Sequence, residues 1–272
     1  MIKDIQKDYH YLRTGDGNKS LKIYHNAELA GYAKKVVQSA LDLLFPPVCH
    51  ICSRHLPPAT EMSCLCPSCV AEVRFLASPL CPRCGKGMDQ AAGSADRHCQ
   101  ECLTRPPAFD SARSVVYYQP HAKELLHRLK YKSDSSAAMV IAELIGKGPC
   151  RQSVSGGDYI IPVPLFVSRL KIRGLNQSLI LAKIIFPTEK AKIATDLLVR
   201  VKNTTAQSGL SGAERRRNLQ AAFEVRESRL VAGKNIWLID DVFTTGTTVN
   251  ECAKTLKKCG VASVHVWTFA RV

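Results

Sequence analysis

Eight of the twelve cysteines fall into four Cys-x-x-Cys pairs between Cys49 and Cys102, and this spacing constrains the fold more than any other feature. A gap of two residues lets both thiolates bind one zinc ion, and two such pairs complete a tetrahedral site. Corresponding cysteines recur after 32 or 33 residues, so we predict two copies of one small zinc ribbon. The predicted ligands of the two structural Zn²⁺ ions are Cys49, Cys52, Cys66 and Cys69, and Cys81, Cys84, Cys99 and Cys102.

The repeat leaves the assignment of cysteine pairs to ions open. Each ion can take two pairs that are consecutive in the sequence, which we favour, or the pairs can alternate between ions in a cross-braced arrangement. Disulfides or ordinary thiols are a further interpretation, but regular spacing in a chain of this length is more typical of metal binding. The ribbon region has little net positive charge and few aromatic residues, so it does not indicate DNA binding.

Positive charge is concentrated in the second part of the chain. The formal net charge is +15; residues 1–110 hold 13 Lys and Arg against 11 Asp and Glu, whereas residues 111–272 hold 25 against 12. A basic surface of this kind suits phosphate groups, either on a small molecule or on nucleic acid. A solvated basic face without a specific ligand is the alternative interpretation.

Patterns along the chain predict four segments and an α/β fold. Residues 1–26 are polar and aperiodic, which is typical of a poorly ordered tail, and residues 27–46 have the apolar spacing of a helix. Residues 47–105 hold the double zinc ribbon. Strands alternate with helices over 110–272, which favours a mostly parallel sheet with helices on both faces.

The sequence indicates no membrane segment. It contains no apolar run of the roughly 18 residues that a spanning helix needs. Charged residues interrupt the first ten positions, where a signal peptide would require an apolar core. We therefore expect a cytoplasmic protein without membrane insertion, and the sequence leaves its oligomeric state open.

The segment 236–248 has the features of a phosphate-binding turn. An apolar strand at 236–239 leads into two adjacent acids, and a turn of threonines around a glycine then opens a helix. Backbone N–H groups at a helix start attract phosphate, and glycine lets the anion approach closely. The two acids stand where ribose hydroxyls, or a magnesium ion bridging to them, would lie. The candidate binding residues are Asp240, Asp241, Thr244, Thr245, Gly246, Thr247 and Thr248.

Two other phosphate motifs are excluded. No lysine follows Gly246, as a Walker loop requires, and the dinucleotide pattern GxGxxG is absent. A Thr-rich helix cap without a ligand is the remaining alternative, but adjacent acids at the end of a buried strand would then be unfavourable.

The segment 236–248 resembles the phosphoribosyl-pyrophosphate signature of type I phosphoribosyltransferases, and the rest of the chain is similar to the ComF family. This family comprises competence-associated phosphoribosyltransferase-like proteins, including the GntX type. The resemblance covers most of residues 41–272 and departs from the family pattern at Leu175, where a Phe is expected. It rests on LLFPPVCHIC at 43–52, CPRCG at 81–85, PPAFD at 106–110, LKY at 129–131, PVPL at 162–165, RGLNQ at 173–177 and AR at 270–271.

The resemblance implies a type I phosphoribosyltransferase fold preceded by zinc ribbons, and an enzyme that binds phosphoribosyl pyrophosphate with Mg²⁺. In that enzyme, Asp240 and Asp241 hold the ribose, and the turn 244–248 holds the 5′-phosphate. Phosphoribose would pass to an acceptor that the sequence does not identify, with release of pyrophosphate.

The resemblance also implies how pyrophosphate is bound. The loop after Pro162, with Arg169 and Arg173, matches the pyrophosphate-binding position, so both arginines join the acid pair as candidate catalytic residues. Residues 202–219, with Arg215 to Arg217, match a mobile loop that covers the ligand.

A protein of competence-type DNA uptake or processing is the alternative function. Such a protein would bind single-stranded DNA or DNA-processing proteins, and the phosphoribosyl site would be a sensor or a relic. A purely regulatory module on the same fold ranks below both, because no helix-turn-helix is visible in the sequence.

Overall fold

Four parallel strands form the central sheet: Ser111–Tyr117 (β1), Tyr159–Pro162 (β2), Asn235–Phe243 (β5) and Ser263–Arg271 (β6). Their order across the sheet is β1, β6, β5, β2. Two short strands, Leu198–Arg200 (β3) and Phe223–Val225 (β4), pair antiparallel in a separate sheet. The central sheet is parallel throughout, as the alternation of strands and helices predicts.

The structure is a computed structural model that describes residues 46–56, 64–89, 95–131, 134–149, 157–203, 219 and 221–272. The predicted tail, almost all of the predicted helix at 27–46, and most of the predicted mobile loop with Arg215 to Arg217 lie outside these residues. Within the described residues, the α-helices are Pro67–Ala71 (α1), Gln100–Thr104 (α2), Pro120–Tyr131 (α3), Ser135–Lys147 (α4), Val167–Arg173 (α5), Gln177–Ile185 (α6), Ser228–Val231 (α7) and Thr247–Lys258 (α8).

Side-chain alternation in β5 explains why the sheet is covered on both faces. Trp237 and Ile239 pack into an apolar core with residues of α3, α4 and α6, whereas Ile236 and Leu238 pack into a second core with residues of α8. All four side chains are at most 5% exposed. A parallel strand buried on both faces needs an unbroken apolar run, which is what residues 236–239 provide.

The eight paired cysteines form two clusters, and each cluster holds one consecutive set. The sulfur atoms of Cys49, Cys52, Cys66 and Cys69 lie within 4.8 Å of one another, and so do those of Cys81, Cys84, Cys99 and Cys102. Four thiolates at this separation fit one tetrahedral zinc ion. The clusters therefore fit two zinc sites with sequential rather than cross-braced pairing.

Backbone N–H groups prepare the first thiol of each cluster for metal binding. Burial raises the pKa of Cys49, but hydrogen bonds from the backbone of Cys52, Cys66 and Ile51 outweigh it and lower the pKa to about 6. Burial and backbone hydrogen bonds act on Cys81 in the same way, and its pKa is also lowered to about 6. Both sulfurs thus favour the thiolate, which is the form that binds zinc.

The chain crosses the edge of the central sheet between the two clusters. Phe75 forms an antiparallel bridge with Val116 of β1, and the N–H of Leu76 donates to the carbonyl of Val115 at 2.9 Å. The first cluster packs in the core that contains α3 and α4, and the second packs in the core that contains α8. The ribbon segment therefore covers the β1 edge and contributes to both cores.

Two parts of the fold differ from the sequence prediction. The segment Val167–Arg173, predicted as a loop, is helix α5, and it ends at Gly174 in the left-handed conformation with φ 72°. None of its residues is buried, and its seven residues are too few for a helical spacing of apolar residues to be recognised. Strands β3 and β4 pair antiparallel, and this pair was not predicted by the alternation of strands and helices.

Residues 48–272 form one compact unit that contains both clusters and the parallel sheet. Within the part of the chain that the structure describes, no helix is both long enough and apolar enough to cross a membrane.

Each cluster is expected to bind one zinc ion independently. Replacing Cys66 or Cys84 with Ser is expected to lower the zinc content from two ions to one per chain, because the affected site loses one of its four thiolates. Elemental analysis of the purified variants measures this stoichiometry. Cys259→Ser lies outside both clusters and should keep both ions; full zinc content in the two cluster variants would contradict the assignment.

Candidate functional site

A cleft opens at the carboxyl edge of the central sheet because β2 is shorter than β5. β2 pairs with β5 as far as Pro162 and Ile239, whereas β5 continues beside β6 to Phe243. The space beyond the end of β2 has a volume of about 560 Å³, which is in the range of small-molecule sites. Open α/β sheets bind their ligands at this edge. The charged residues that line the cleft are Lys130, Arg169, Arg173, Arg200, Asp240 and Asp241.

Asp240 is the first acidic residue of β5, and two hydrogen bonds hold its carboxylate. Oδ1 accepts from the hydroxyl of Ser178 at 3.1 Å and from the N–H of Asp241 at 2.9 Å. Ser178 lies in the first turn of α6, where the Asn176 side chain caps the helix by accepting from the Ser178 N–H at 3.0 Å. Burial, and then the charge of Asp241, raises the pKa of Asp240 to about 7. This carboxyl group therefore exchanges its proton near neutral pH.

Asp241 forms a direct ion pair with Lys130, which lies in the last turn of α3. The Lys130 and Asp241 side chains are 23% and 17% exposed, so the pair is partly shielded from water. Both residues line the cleft, and Asp241 is therefore not drawn away into the core by its partner. Lys130 belongs to the LKY motif at 129–131, but the sequence alone does not show that it contacts Asp241, because α3 and β5 are far apart in the chain.

Three arginines share the cleft with the acid pair. Arg169 and Arg173 come from α5, and Arg173 Nη1 donates to Oε1 of Gln177 at 3.3 Å. Arg200, at the end of β3, is only 8% exposed; burial, and then the charge of Arg169, lowers its pKa. Sequence reasoning singled out Arg169 and Arg173 but missed Arg200. Cations gathered at one edge of a sheet favour an anionic ligand.

The turn 244–248 borders two cavities. Thr244 and Thr248 line the cleft. Thr245, Gly246 and Thr247 line a second cavity of about 300 Å³ beside the second cysteine cluster. The hydroxyls of Thr245 and Thr247 are 2.7 Å apart and hydrogen-bond to each other. The four predicted threonines are thus divided between the two sides of the turn.

Gly246 starts α8 in a conformation and a space that only glycine satisfies. Its φ is 69°, and a Cβ atom at this position would lie 2.5 Å from the ring of Phe243. Helix α8 begins beside the cleft, because Thr248 in its first turn lines the cleft. The first N–H groups of a helix have no acceptor within it, and the helix dipole adds partial positive charge there, so this start favours an anion.

The donor atoms of the acid pair and those of the cysteine clusters suit different metals. Carboxylate oxygens at Asp240 and Asp241 are hard ligands that suit Mg²⁺ in company with phosphate oxygens. Thiolates suit Zn²⁺. Arg271 connects the second cysteine cluster to the end of β5. Its Nη1 donates to the carbonyl of Cys84 at 2.6 Å, and its guanidinium lies 4.5 Å from the centre of the Phe243 ring.

Two protein-family models match the chain: a double zinc ribbon domain over residues 40–103 and a phosphoribosyl transferase domain over residues 176–272. Among solved structures, a hypoxanthine phosphoribosyltransferase from Staphylococcus aureus is similar with a TM-score of 0.29 and 17% identity, over 48% of this chain and 60% of that chain. This structural similarity is too low to add to the fold assignment, which rests on the family model and on the parallel sheet.

Two relatives are similar over most of the chain. The DNA utilization protein YhgH of Salmonella typhi is 34% identical over 233 residues, which cover 84% of this chain and 99% of the relative. Competence protein F of Haemophilus influenzae is 31% identical over 212 residues, which cover 76% of this chain and 90% of the relative. With a type I phosphoribosyltransferase fold preceded by two cysteine clusters of the zinc-ribbon kind, the chain belongs to the ComF family.

Proposed function

We propose that the cleft binds phosphoribosyl pyrophosphate with Mg²⁺ and transfers phosphoribose to an acceptor, with release of pyrophosphate. The observation that carries this proposal is the meeting of an acid pair, a helix start and three arginines in one cleft. A donor whose sugar lies between two phosphorylated ends requires these three kinds of groups side by side. Family membership supports the proposal, since the matched phosphoribosyl transferase domain includes Asp240, Asp241 and Arg200.

The acid pair and the turn would hold the sugar and its 5′-phosphate. Asp240 and Asp241 accept hydrogen bonds from the ribose hydroxyls, and the N–H groups at the start of α8 bind the phosphate together with Thr244 and Thr248. Displacement at C1 of the ribose develops positive charge on the ring, and the neighbouring carboxylates stabilise that charge.

The arginines would hold the opposite end of the donor. Arg169, Arg173 and Arg200 neutralise the pyrophosphate, whose negative charge grows as its bond to C1 breaks. Mg²⁺, bound by the phosphates and by the carboxylates, would add further positive charge at the leaving group. The acceptor attacks C1 from the side of the ribose opposite to the departing pyrophosphate.

The raised pKa of Asp240 is consistent with a carboxylate whose charge is stabilised mainly by its ligand. Burial and the adjacent Asp241 make ionisation unfavourable in the ligand-free cleft. Hydroxyl groups that donate to this carboxylate would favour the charged form and reverse the shift. The site therefore gives up some stability of the free protein in favour of binding.

Replacing both acids, by Asp240→Asn with Asp241→Asn, is expected to weaken binding of magnesium phosphoribosyl pyrophosphate at least about 100-fold, because two charge-assisted hydrogen bonds are lost. Isothermal titration calorimetry measures the affinity. Asp196→Asn, at an exposed acid that does not line the cleft, is the control and should bind normally. Normal binding by the double variant would refute the assignment of the site.

The transfer step needs a separate measurement, because the acceptor is unidentified. Release of labelled pyrophosphate can be screened against bases, amines and nucleic acids as acceptors. If the protein binds phosphoribosyl pyrophosphate but releases pyrophosphate with none of these acceptors, the result would indicate a binding protein rather than a transferase.

Asp240→Asn alone is expected to stabilise the ligand-free protein above pH 7. The folded-state pKa of about 7 lies above the ordinary value of 3.8, so the folded protein keeps a proton that the unfolded chain releases, and stability falls as pH rises between these values. Asparagine stays neutral and can accept the same two hydrogen bonds. We expect a Tm higher by about 2–4 °C at pH 8, with a smaller gain at pH 5. Thermal unfolding followed by circular dichroism provides the measurement, and a decrease in Tm at pH 8 relative to Asp196→Asn would contradict this account.

Binding of single-stranded DNA is a second candidate function. The relatives named for competence and for DNA utilization favour it, as does the excess of Lys and Arg, 25 against 12 acids, in residues 111–272. If phosphate contacts dominate, the logarithm of the affinity should fall linearly with the logarithm of the salt concentration. Fluorescence anisotropy with a labelled oligonucleotide measures this slope, and a flat plot counts against the function.

A further inference from the structure

A lysine occupies the acid pair at the position where a divalent cation would bind. Nζ of Lys130 is in direct contact with Oδ2 of Asp241, and both side chains line the cleft. We propose that Lys130 is a resident counterion, whose ammonium takes the cation position at Asp241 in the ligand-free protein, so that a divalent cation enters the cleft with a phosphorylated ligand rather than alone. This role rests on the proposed function of the cleft and adds a residue to it.

Helix α3 holds Lys130 in this position through its buried face. Leu125, Leu126 and Leu129 are at most 1% exposed, so the last turn of the helix cannot rotate without disrupting the core. Arg128 adds a second anchor, because it donates to the backbone carbonyl of His50 and forms an ion pair with Asp134. The packing of α3 therefore fixes the backbone of Lys130 beside the cleft, and its side chain reaches Asp241 from there.

The charge balance of the cleft opposes the entry of a free metal ion. Four cationic side chains, including Lys130, face only two carboxylates. A bare divalent ion would meet a net charge of +2 from these side chains. A metal complex of a polyphosphate carries net negative charge, so the same cleft attracts it.

A phosphorylated ligand would offer Lys130 a new partner. Phosphate oxygens are strong acceptors for an ammonium group. Once Lys130 turns to them, the carboxylate of Asp241 is released to accept ribose hydroxyls or to bind the metal that arrives with the ligand. The ammonium keeps its proton and no covalent bond changes, so Lys130 acts as a positioning residue.

Binding of Mn²⁺ to the ligand-free, zinc-loaded full chain tests this role. Mn²⁺ uses the same oxygen ligands as Mg²⁺, and electron paramagnetic resonance reports its free concentration. Lys130→Met is expected to bind Mn²⁺ at least about tenfold more tightly than the natural protein, because a positive charge in contact with the carboxylate is removed. Lys130→Arg keeps the charge and should bind as weakly as the natural protein.

Two further variants locate the effect. Lys123→Met removes an exposed charge from the same helix outside the cleft and should leave Mn²⁺ binding unchanged. Lys130→Met combined with Asp241→Asn should lose the gain, because the carboxylate that Lys130 had occupied is no longer present.

Equal Mn²⁺ affinity of Lys130→Met and the natural protein would overturn the counterion role, and so would a gain that survives Asp241→Asn. Circular dichroism shows whether each variant is folded, and Lys130→Gln takes the place of Lys130→Met if the latter is not. The assay contains no phosphoribosyl pyrophosphate, so the two proposals fail separately. If Lys130→Met binds Mn²⁺ more tightly but the natural protein does not bind phosphoribosyl pyrophosphate, the counterion role stands and the proposed function fails. If the natural protein binds phosphoribosyl pyrophosphate but Lys130→Met shows no gain in Mn²⁺ binding, only the counterion role fails.

Discussion

The burial of β5 on both faces is the constraint on which the rest of the structure depends. A strand in this position must be apolar on both sides, and residues 236–239 meet that requirement. The apolar run ends where the neighbouring strand β2 ends, so Asp240 is the first side chain of β5 that can face the cleft. An acid placed earlier in the strand would be buried without partners. The length of β2 therefore determines the first position in β5 at which an acidic side chain can face the cleft.

The cysteine clusters belong to the same physical argument, because they complete the cover of the sheet. The segment between them pairs with the edge of β1, and each cluster then adds buried sulfur atoms to a different core. The second cluster is also connected through side chains to the turn 244–248. Arg271 binds the Cys84 carbonyl and stacks on Phe243, and the Phe243 ring leaves no space for a side chain at Gly246. Metal binding and the shape of the turn are thus joined by direct contacts.

The sequence predicted those features that depend on residues close together in the chain. Cysteine spacing predicted both clusters. The apolar run followed by two acids predicted that Asp240 and Asp241 lie at the carboxyl edge of the sheet, although β5 continues through them to Phe243. Lys130 and Arg200 could not be found in this way, because each reaches the cleft from an element whose position depends on long-range packing. The division of the threonines between two cavities depends on the left-handed Gly246, and composition alone does not show which way each hydroxyl faces. Helix α5 was missed because it has no buried face.

The charges of the cleft also bear on which phosphates it can accept. The cationic side chains of the cleft outnumber its carboxylates, so net charge alone would attract a polynucleotide as well as a small phosphorylated ligand. The carboxylates of Asp240 and Asp241 need hydroxyl donors, which a single sugar between two phosphorylated ends places at that point and the sugars within a DNA chain do not. The volume of about 560 Å³ suits the smaller ligand as well. We therefore expect that the second candidate function, binding of single-stranded DNA, would use basic surface outside the cleft. Lys130 pairs with Asp241 in the free protein. In the counterion role proposed above, a compact polyanion that brings its own metal would release it, and the Asp241 carboxylate would then be available to the sugar.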